Sequence, residues 1–163
     1  MIILIFRGIK MINIVLYSPE IPQNTGNISR TCAVTGARLH IIKPIGFEIS
    51  DRTLKRAGLD YWDKLDVTYY ENYEDFLRQN ENAELFFFSA HAERSFAEVE
   101  YPDDVYLVFG RESVGLPEEL VRKNIDRALR IPMRKTLRCL NLSNSVAIAV
   151  YEVLRQKNYG GLE

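Results

Sequence analysis

Short apolar runs rich in β-branched residues alternate with helix-like patterns along this 163-residue sequence, and no other feature constrains the fold as strongly. Alternation of this kind predicts an α/β fold, a mostly parallel sheet with helices on both faces. Strands are predicted near 12–17, 38–42, 66–70, 84–89, 104–109 and 128–131, and helices near 26–36, 51–58, 73–80, 117–124 and 142–158. Because ligands bind beyond the carboxyl ends of parallel strands, we expect functional residues in the loops there.

The composition is that of one globular domain. Hydrophobic residues make up 47% and charged residues 26%, and no repeat or linker divides the chain. We expect a single domain over residues 11–163 behind an extension of residues 1–10, because the first strand pattern begins at Met11. The early apolar run does not resemble a signal peptide, since its charges follow the run. Apolar runs also stay well below the roughly 20 residues of a membrane span.

Cysteine and histidine are too few and too scattered for a metal site. The chain has two cysteines, Cys32 and Cys139, and two histidines, His40 and His91, without CxxC or HxxxH spacing. We therefore expect no metal, no disulfide framework and a reducing, cytoplasmic location.

Charge is uneven although the net charge is only −1. No acid lies between Arg127 and Tyr151, whereas acids crowd residues 71–104. Local basic clusters can follow a nucleic-acid backbone, although such a cluster is also an ordinary solvated surface. The basic residues concerned are Arg127, Arg130, Arg134, Lys135 and Arg138, with a second group at Arg52, Lys55 and Arg56.

The first candidate loop, 18–31, directly follows the first predicted strand. Asn24-Thr25-Gly26 is typical of a turn and cap at a helix start, where free N–H groups can face an anion. Arg30 would then lie one turn inside the helix. A plainly capped helix with a solvent-facing arginine explains the same residues.

The second loop runs from Val108 to Pro117 and matches neither a phosphate-binding P-loop nor a dinucleotide fingerprint. Gly110 and Gly115 indicate a bent loop that a ligand can approach closely. Glu112 lies in the bend, where its carboxylate can accept hydrogen bonds or orient an arginine. An ordinary strand-to-helix connection is the alternative.

The third loop, 130–145, joins the last strand to the last helix. Its Cys139-Leu-Asn-Leu-Ser-Asn144 segment mixes apolar and small polar groups, which suits a ligand with an adenine ring and a polar tail. Helix capping accounts for one of Asn141, Ser143 and Asn144, but not all three. Cys139 lacks a neighbouring base and is therefore a wall residue rather than a nucleophile.

Together these loops resemble the SPOUT methyltransferases, in particular the small TrmL (YibK-like) branch. The similarity extends from about Met11 to Tyr159. The similar segments are Pro22-Gln-Asn-Thr-Gly-Asn-Ile-Ser-Arg30, Gly58-Leu-Asp-Tyr61, Phe109-Gly-Arg-Glu-Ser-Val-Gly-Leu-Pro117, and Ile131-Pro-Met with Asn141-Leu-Ser-Asn144.

The resemblance implies a deep trefoil knot near the C-terminus and S-adenosylmethionine (AdoMet) as cofactor. The implied cofactor residues are Phe88, Gly110, Ile131, Cys139, Leu140 and Ser143. Many relatives carry serine where Cys139 stands, which matters only if the contact uses the side chain.

The resemblance also implies methyl transfer to the ribose 2′-hydroxyl of the wobble pyrimidine, cytidine or uridine, in leucine tRNAs. Arg30 matches the motif arginine that approaches this hydroxyl, and Asn24 and Glu112 would fix it. Asn141, with Ser143, would shape the cofactor or ribose site. Because arginine is always protonated, we expect it to orient the ribose or phosphate and stabilise a developing oxyanion rather than accept the proton.

The implied partners are the tRNA anticodon loop and a second copy of the chain. We expect Arg134, Lys135, Arg138 and Arg155 to contact RNA, and a homodimer to enlarge the surface of so short a chain. Three alternatives stay open: another RNA such as rRNA as substrate, a non-catalytic RNA-binding module, and a different α/β enzyme that binds a nucleotide phosphate at the first helix.

Overall fold

The computed structural model describes residues 11–48, 62–134 and 138–163. Several sequence predictions lie outside these residues: the extension 1–10, the helix at 51–58, the basic group at 52–56, the segment 58–61, and Lys135.

The strands follow the predicted apolar runs closely. Within the described ranges there are seven: β1 (Met11–Tyr17), β2 (Arg38–Ile42), β3 (Val67–Tyr70), β4 (Leu85–Phe88), β5 (Arg94–Ser95), β6 (Asp104–Phe109) and β7 (Ala128–Arg130). All match a predicted run to within one residue at each end, except β5. The two-residue β5 was not predicted, because so short a segment has no periodicity to detect.

All pairs in the seven-stranded sheet are parallel, and the spatial order is β3-β2-β1-β6-β4-β7-β5. β1 therefore lies beside β6, with Leu16 opposite Phe109 at their carboxyl ends. Chain order reverses between these two strands. In open parallel sheets this is the position at which ligands bind.

Helices cover both faces of the sheet, as predicted. One face packs against α1 (Pro22–Thr35) and α4 (Leu142–Gln156), which also contact each other. The other packs against α2 (Tyr73–Gln79) and α3 (Glu118–Lys123). Strands buried on both faces explain the near-continuous apolar runs, such as Ile14-Val-Leu16, whose exposure is at most 1%. Short 3₁₀ turns lie at Trp62–Lys64, Phe96–Glu98 and Ile125–Arg127.

The predicted start of α1 was wrong. We expected a turn at 24–26 and a helix from 26, but the helix begins at Pro22 after Ile21, which makes no side-chain capping bond. Proline suits the first turn because its missing N–H would be unpaired there, and its ring presets the helical φ. Asn24 and Gly26 are consequently buried within the helix rather than in a turn. Gly36, at φ 74°, ends it one residue earlier than predicted.

The last helix begins where predicted and ends slightly earlier. Asn141 caps α4 by accepting a hydrogen bond from the Ser143 N–H at 2.9 Å. The helix ends at Gln156, two residues before the predicted end, and turns with positive φ at Asn158 and Tyr159 follow. None of the helices in the described segments is long and apolar enough to cross a membrane.

A chain of buried polar side chains runs beneath β1, β2 and β3. Asn13 donates to the Asp104 carboxylate at 2.8 Å and to the Val105 carbonyl. Its amide oxygen must therefore accept from His40 Nε2, 3.1 Å away. His40 Nδ1 is then the acceptor for the Tyr70 hydroxyl at 2.8 Å. A neutral histidine with its proton on Nε2 fits both bonds.

Burial reinforces that neutrality. Desolvation lowers the pKa of His40 to about 4, with smaller opposing contributions from Asp66 and Asp104 and a lowering one from Arg38. Asn80 completes the chain: it donates to the Tyr70 hydroxyl and accepts from the Tyr106 hydroxyl, both at 3.2 Å. Each of these connected side chains is thus paired, as burial requires.

Candidate active site

The candidate active site lies at the carboxyl edge of the sheet, where β1 and β6 are neighbours. The loop after β1, residues 18–21, faces the loop after β6, residues 110–117. The loop after β7, residues 131–141, reaches the same edge, although 135–137 lie outside the described residues. All three predicted loops therefore meet at this edge because strand order brings β1, β6 and β7 to it.

Glu112 joins the second loop to the first. Its carboxylate accepts the backbone N–H of Glu20 at 2.8 Å and of Ile21 at 3.1 Å. It also accepts from Asn24 Nδ2 at 3.2 Å. The sequence predicted that the start of the first helix would offer N–H groups to an anion. Here the anion is the Glu112 carboxylate, which accepts hydrogen bonds from N–H groups just ahead of α1.

Glu20, on the first loop, in turn binds the second loop. Its Oε2 accepts the Ser113 hydroxyl at 2.6 Å and the Ser113 N–H at 3.1 Å. The bond from the Ser113 hydroxyl lowers the pKa of the Glu20 carboxyl most, and the bond from the Ser113 N–H lowers it further. The charge of Arg111 adds to the effect. Each of the two loops therefore supplies a carboxylate that binds the other loop.

Asn24 and Asn141 connect the first loop to the third. Asn141 Nδ2 donates to Asn24 Oδ1 at 3.0 Å across 117 residues of sequence. The Oδ1 of Asn141 meanwhile accepts from the Ser143 N–H and hydroxyl. Both ends of each amide are therefore engaged. A single chain of hydrogen bonds, Ser143–Asn141–Asn24–Glu112, links all three loops.

Arg30 is exposed on α1. Because the helix begins at Pro22, Arg30 lies about two turns inside it rather than one. Six residues separate it from Asn24, or about 9 Å along the axis. Arg30 thus shares a helix with the residue that contacts both other loops. Whether Asn24 and Glu112 fix it directly stays a prediction, since their bonds described above run between loops.

Gly110 is required by its own loop. A Cβ on this residue would lie 2.0 Å from the backbone of Gly115 and Leu116. Arg111 and Gly115 exchange two backbone hydrogen bonds, at 3.1 and 2.8 Å, which close the turn. Gly115 has φ 74°, a conformation that favours glycine. The bend predicted from these two glycines is present.

The predicted cofactor residues differ in exposure. Phe88, at the end of β4, is buried and stacks on Phe109 with ring centroids 4.7 Å apart. Ile131 is half-buried directly after β7, whereas Cys139 and Leu140 are exposed. The Leu140 N–H donates to Met133 Sδ at 3.4 Å, so the two ends of the third loop approach each other.

Two buried hydroxyls near this edge are unsatisfied. Ser18 Oγ and Thr25 Oγ1 have no hydrogen-bond partner among the residues that the structure describes. Ser18 follows β1 with φ 51°, and Thr25 lies in the first turn of α1. Because buried polar groups are normally paired, these hydroxyls are suited to water or a polar ligand.

The predicted RNA-binding residues separate into two places. Arg134 and Arg138 are exposed on the third loop, at the site. Arg155 lies 14 residues along α4 from Asn141, about 21 Å away. There it forms a two-pronged bond to Glu152, with both contacts at 2.9 Å. The structure therefore does not bring Arg155 together with the other two.

A cleft of about 520 Å³ lies at the opposite edge of the sheet, and none of the residues predicted to be catalytic or to bind the cofactor lines it. Its basic residues are engaged: Arg127 pairs with Glu84, and Lys157 pairs with Asp103. Neither the three loops nor Arg30 line it. We therefore assign the site to the loops rather than to this cleft.

Glu20 and Ser113 were missed by the sequence analysis. Both lie inside loops that were singled out, yet nothing local links residues 93 positions apart. The available signal was Pro19-Glu-Ile-Pro22, in which two prolines stiffen the backbone around one carboxylate.

Comparison with known proteins gives consistent matches over nearly the whole chain. A family model described as the SpoU rRNA Methylase family matches residues 11–151. A tRNA (cytidine(34)-2′-O)-methyltransferase from Escherichia coli (strain K12) is 47% identical over 152 residues, 93% of this chain and 97% of that protein. A protein of the same name from Saccharophagus degradans is 46% identical, covering 93% and 99%.

Solved structures agree with this similarity. One, described as "Structural insights into the 2-OH methylation of C/U34 on tRNA", has a TM-score of 0.84 and 45% identity, covering 93% of this chain and 99% of that one. An AdoMet-bound rRNA methyltransferase from Sinorhizobium meliloti has a TM-score of 0.79 and 25% identity, covering 91% and 57%.

Proposed function

Because this chain belongs to the SpoU rRNA methylase family, we propose that it is an AdoMet-dependent methyltransferase acting on the ribose 2′-hydroxyl of the wobble pyrimidine of tRNA. Relatives with 46–47% identity over 93% of the chain are named for methylation of cytidine 34 in tRNA. The similar solved structure concerns methylation of C/U34 on tRNA. Leucine tRNAs are the substrates that the sequence resemblance implies.

One observation carries the proposal: three loops distant in sequence form a single hydrogen-bonded edge. The Asn141–Asn24 and Asn24–Glu112 bonds span 117 and 88 residues. Methyl transfer needs oxygen, methyl carbon and sulfur in line, so the elements that hold ribose and cofactor must keep a fixed relation. Hydrogen bonds between those elements supply it.

The residues at this edge fit the cofactor. The third loop leaves apolar side chains uncovered, with Met133 37% and Leu140 38% exposed, and these suit the faces of an adenine ring. Phe88, Gly110, Ile131, Cys139 and Leu140 would hold AdoMet, largely through backbone groups. When bound, AdoMet supplies a methyl group that its sulfonium already activates.

Arg30 would act on the RNA side. Its guanidinium stays protonated, so it can orient the ribose or an adjacent phosphate and stabilise negative charge developing on the 2′-oxygen. Glu112 is not placed as a free proton acceptor, because three donors occupy most of its roughly four acceptor sites. We assign it, with Asn24, Asn141 and Ser143, to fixing the loops.

Arg134 and Arg138, exposed on the third loop, would contact the anticodon loop, together with Lys135. Basic side chains there can pair with phosphates around an unstacked nucleotide. Arg155 lies about 21 Å from Asn141 along α4 and is bonded to Glu152, so we expect it to contribute less to tRNA binding. With tRNA as substrate, the cytoplasm is the expected compartment.

We expect a homodimer built on the outer face of α1 and α4. Three large apolar side chains are uncovered on these packed helices: Val34 is 61% exposed, Ile148 38% and Tyr151 47%. Burying such side chains against a second copy is favourable, and dimerisation would double the RNA-binding surface.

The trefoil knot and the domain boundary are also part of the proposal. Strand order supports the knot, because β6 inserts between β1 and β4, and β7 then passes to the far side of β4 before α4 returns to α1. The family match begins at residue 11, in agreement with a domain over 11–163 behind an extension of 1–10.

A methyl-transfer assay tests the function. We expect the purified protein to move radiolabelled methyl from AdoMet to a leucine tRNA transcript, and nuclease digestion with mass spectrometry to find a 2′-O-methylpyrimidine at the wobble position. A transcript with a 2′-deoxy wobble nucleotide is the matched control and should accept none.

Other outcomes separate the alternatives. Transfer to rRNA but not tRNA would indicate another RNA substrate. Binding of tRNA without calorimetric binding of AdoMet would indicate a non-catalytic module.

A further inference from the structure

Two carboxylates form a crossed clasp between the first and second loops. Glu112 takes the N–H groups of Glu20 and Ile21, while Glu20 takes the N–H and hydroxyl of Ser113. Each loop thus supplies both a carboxylate and the backbone that the other carboxylate binds. Relative movement of the loops would break bonds of both carboxylates together.

The backbone of Glu20 is also held from a third direction. The Gly46 N–H donates to the Pro19 carbonyl at 2.9 Å. A Cβ on Gly46 would lie 2.9 Å from the Glu20 Cα, so this contact depends on glycine. Pro19 and Pro22 further restrict the loop. With its backbone held in this way, the Glu20 carboxylate can fix the position of Ser113.

The clasp contributes more to position than to stability. The Glu20–Ser113 bonds lie in an exposed environment, where water competes for both partners and a hydrogen bond adds little net stability. Bonds to a charged acceptor nevertheless fix geometry well, because they are short and directional. The 2.6 Å bond from the Ser113 hydroxyl is of that kind.

We propose that Glu20 is a positioning residue for the methyl transfer, acting through Ser113 to hold the Glu112 loop against the start of α1. This inference rests on the proposed function. Glu112 and Asn24 connect this contact to Asn141 by hydrogen bonds, and α1 carries Arg30. Glu20 therefore helps to set the position of the RNA-binding residue relative to the cofactor-binding loops. The turn at Gly110 is closed separately by the Arg111–Gly115 bonds, so we expect cofactor binding to be largely independent of Glu20.

Three variants test this role. Glu20→Ala removes both bonds and should lower kcat about tenfold, because misplacement of reacting groups slows the chemical step. AdoMet affinity, measured by calorimetry, should change less than about threefold, because the affected bonds lie outside the cofactor pocket.

Glu20→Gln should restore kcat to near the original value, because both bonds go to one oxygen and an amide oxygen can accept them. Ser113→Ala removes only the hydroxyl bond and should have a smaller effect. In the Glu20→Ala background it should have none, because its partner is already gone. Glu81→Ala, the same change at an exposed glutamate beyond the opposite edge of the sheet, is the matched control.

The results that overturn the proposal are distinct. If the original protein methylates tRNA and Glu20→Ala does so with unchanged kcat, Glu20 has no positioning role. Failure of Glu20→Gln to restore activity would show that charge rather than the clasp is required, which also overturns it. If Glu20→Ala does not fold, an Ser113→Ala variant with normal kcat decides against the clasp. If the original protein methylates no tRNA, the proposed function itself fails, and this role with it.

Discussion

Two polar networks in this molecule use similar side chains under opposite conditions. The edge network, consisting of Glu20, Asn24, Glu112, Ser113 and Asn141, lies at the carboxyl edge of the sheet. Ser113 and Asn141 in it are exposed, and Glu20 and Glu112 are half-buried, whereas Asn24 is buried. The buried network, consisting of Asn13, His40, Tyr70, Asn80 and Tyr106, lies beneath the sheet. Asn13, His40 and Tyr70 in it are at most 5% exposed.

The difference lies in charge and in what each network connects. The edge network has two carboxylates that bind backbone N–H groups of facing loops. The buried network links neighbouring strands through neutral groups and reaches a single carboxylate, Asp104, at its end. Buried polar groups are costly unless paired, whereas exposed ones exchange freely with water. We therefore expect the edge network to control activity and the buried network to control stability.

The largest effect should come from Arg30, which shares α1 with Asn24 of the edge network. Arg30→Ala should lower kcat by roughly 10² to 10³, the usual cost of losing a donor to a developing oxyanion. AdoMet affinity and the thermal midpoint should stay nearly unchanged, because the residue is exposed. Single-turnover kinetics and calorimetry measure these quantities. Equal losses of rate and AdoMet affinity would contradict its assignment to the RNA side.

Acid should reveal the buried network. The folded-state pKa of His40 is lowered to about 4 from 6.5, so the unfolded chain takes up the proton first as pH falls. Stability is therefore lost from about pH 6.5 downward and the loss levels off below about pH 4. Between pH 7 and 5 we expect a decrease of about 2 kcal/mol in the free energy of unfolding.

Urea denaturation at the two pH values measures this decrease. His91→Asn, a change at the exposed histidine, is the control and should leave the difference intact. The carboxyls whose pKa is lowered, Glu20 among them, lose their contribution at lower pH, outside this window. Equal stability at pH 7 and 5 would argue against a neutral His40 in the folded state.

A double-mutant cycle tests the bond between the first and third loops. Asn24→Ala and Asn141→Ala should each reduce kcat, and the double variant should be less impaired than the product of the two. The expected coupling is about 1 kcal/mol, typical of one hydrogen bond. Independent effects on methyl transfer would mean that the 3.0 Å bond does not align the loops for catalysis.

The smallest effect should separate the two groups of basic residues. Arg134→Ala should weaken tRNA binding. It should also reduce the slope of the logarithm of the binding constant against the logarithm of salt concentration by about the amount expected for one phosphate contact. Arg155→Ala, about 21 Å from Asn141 along α4, should change tRNA binding less. Filter binding at several salt concentrations compares them. Equal losses would show that Arg155 contacts tRNA as Arg134 does, as expected from the sequence.

Much of the fold could be predicted from local pattern. β1, β2 and β6 coincide with predicted runs to within one residue, because strands buried on both faces must be apolar throughout. The start of α1 could not be predicted in this way. Asn24-Thr25-Gly26 has the composition of a turn, but the N–H groups just before the helix are paired with Glu112, 91 residues away from Ile21.

The candidate site, like the fold, could be predicted only in part. The three loops were predicted because parallel strands end at a common edge. Glu112 was expected to accept hydrogen bonds or to orient an arginine, and in the structure its carboxylate accepts hydrogen bonds from Glu20, Ile21 and Asn24. Glu20 and Ser113 were not predicted, because the only local signal was the pair of prolines around Glu20, and nothing local connects it to Ser113.

By itself the sequence determined the alternation of strands and helices, the family motifs and the loops that carry them, because these depend on short-range periodicity and on residue identity. Only the tertiary structure decided which side chains meet: Glu20 with Ser113, Asn24 with Asn141, and His40 with Asn13. The physical reason is that a hydrogen bond extends about 3 Å, whereas its partners here stand 27 to 117 residues apart. Strand order, set by packing of the whole sheet, brings them within that distance.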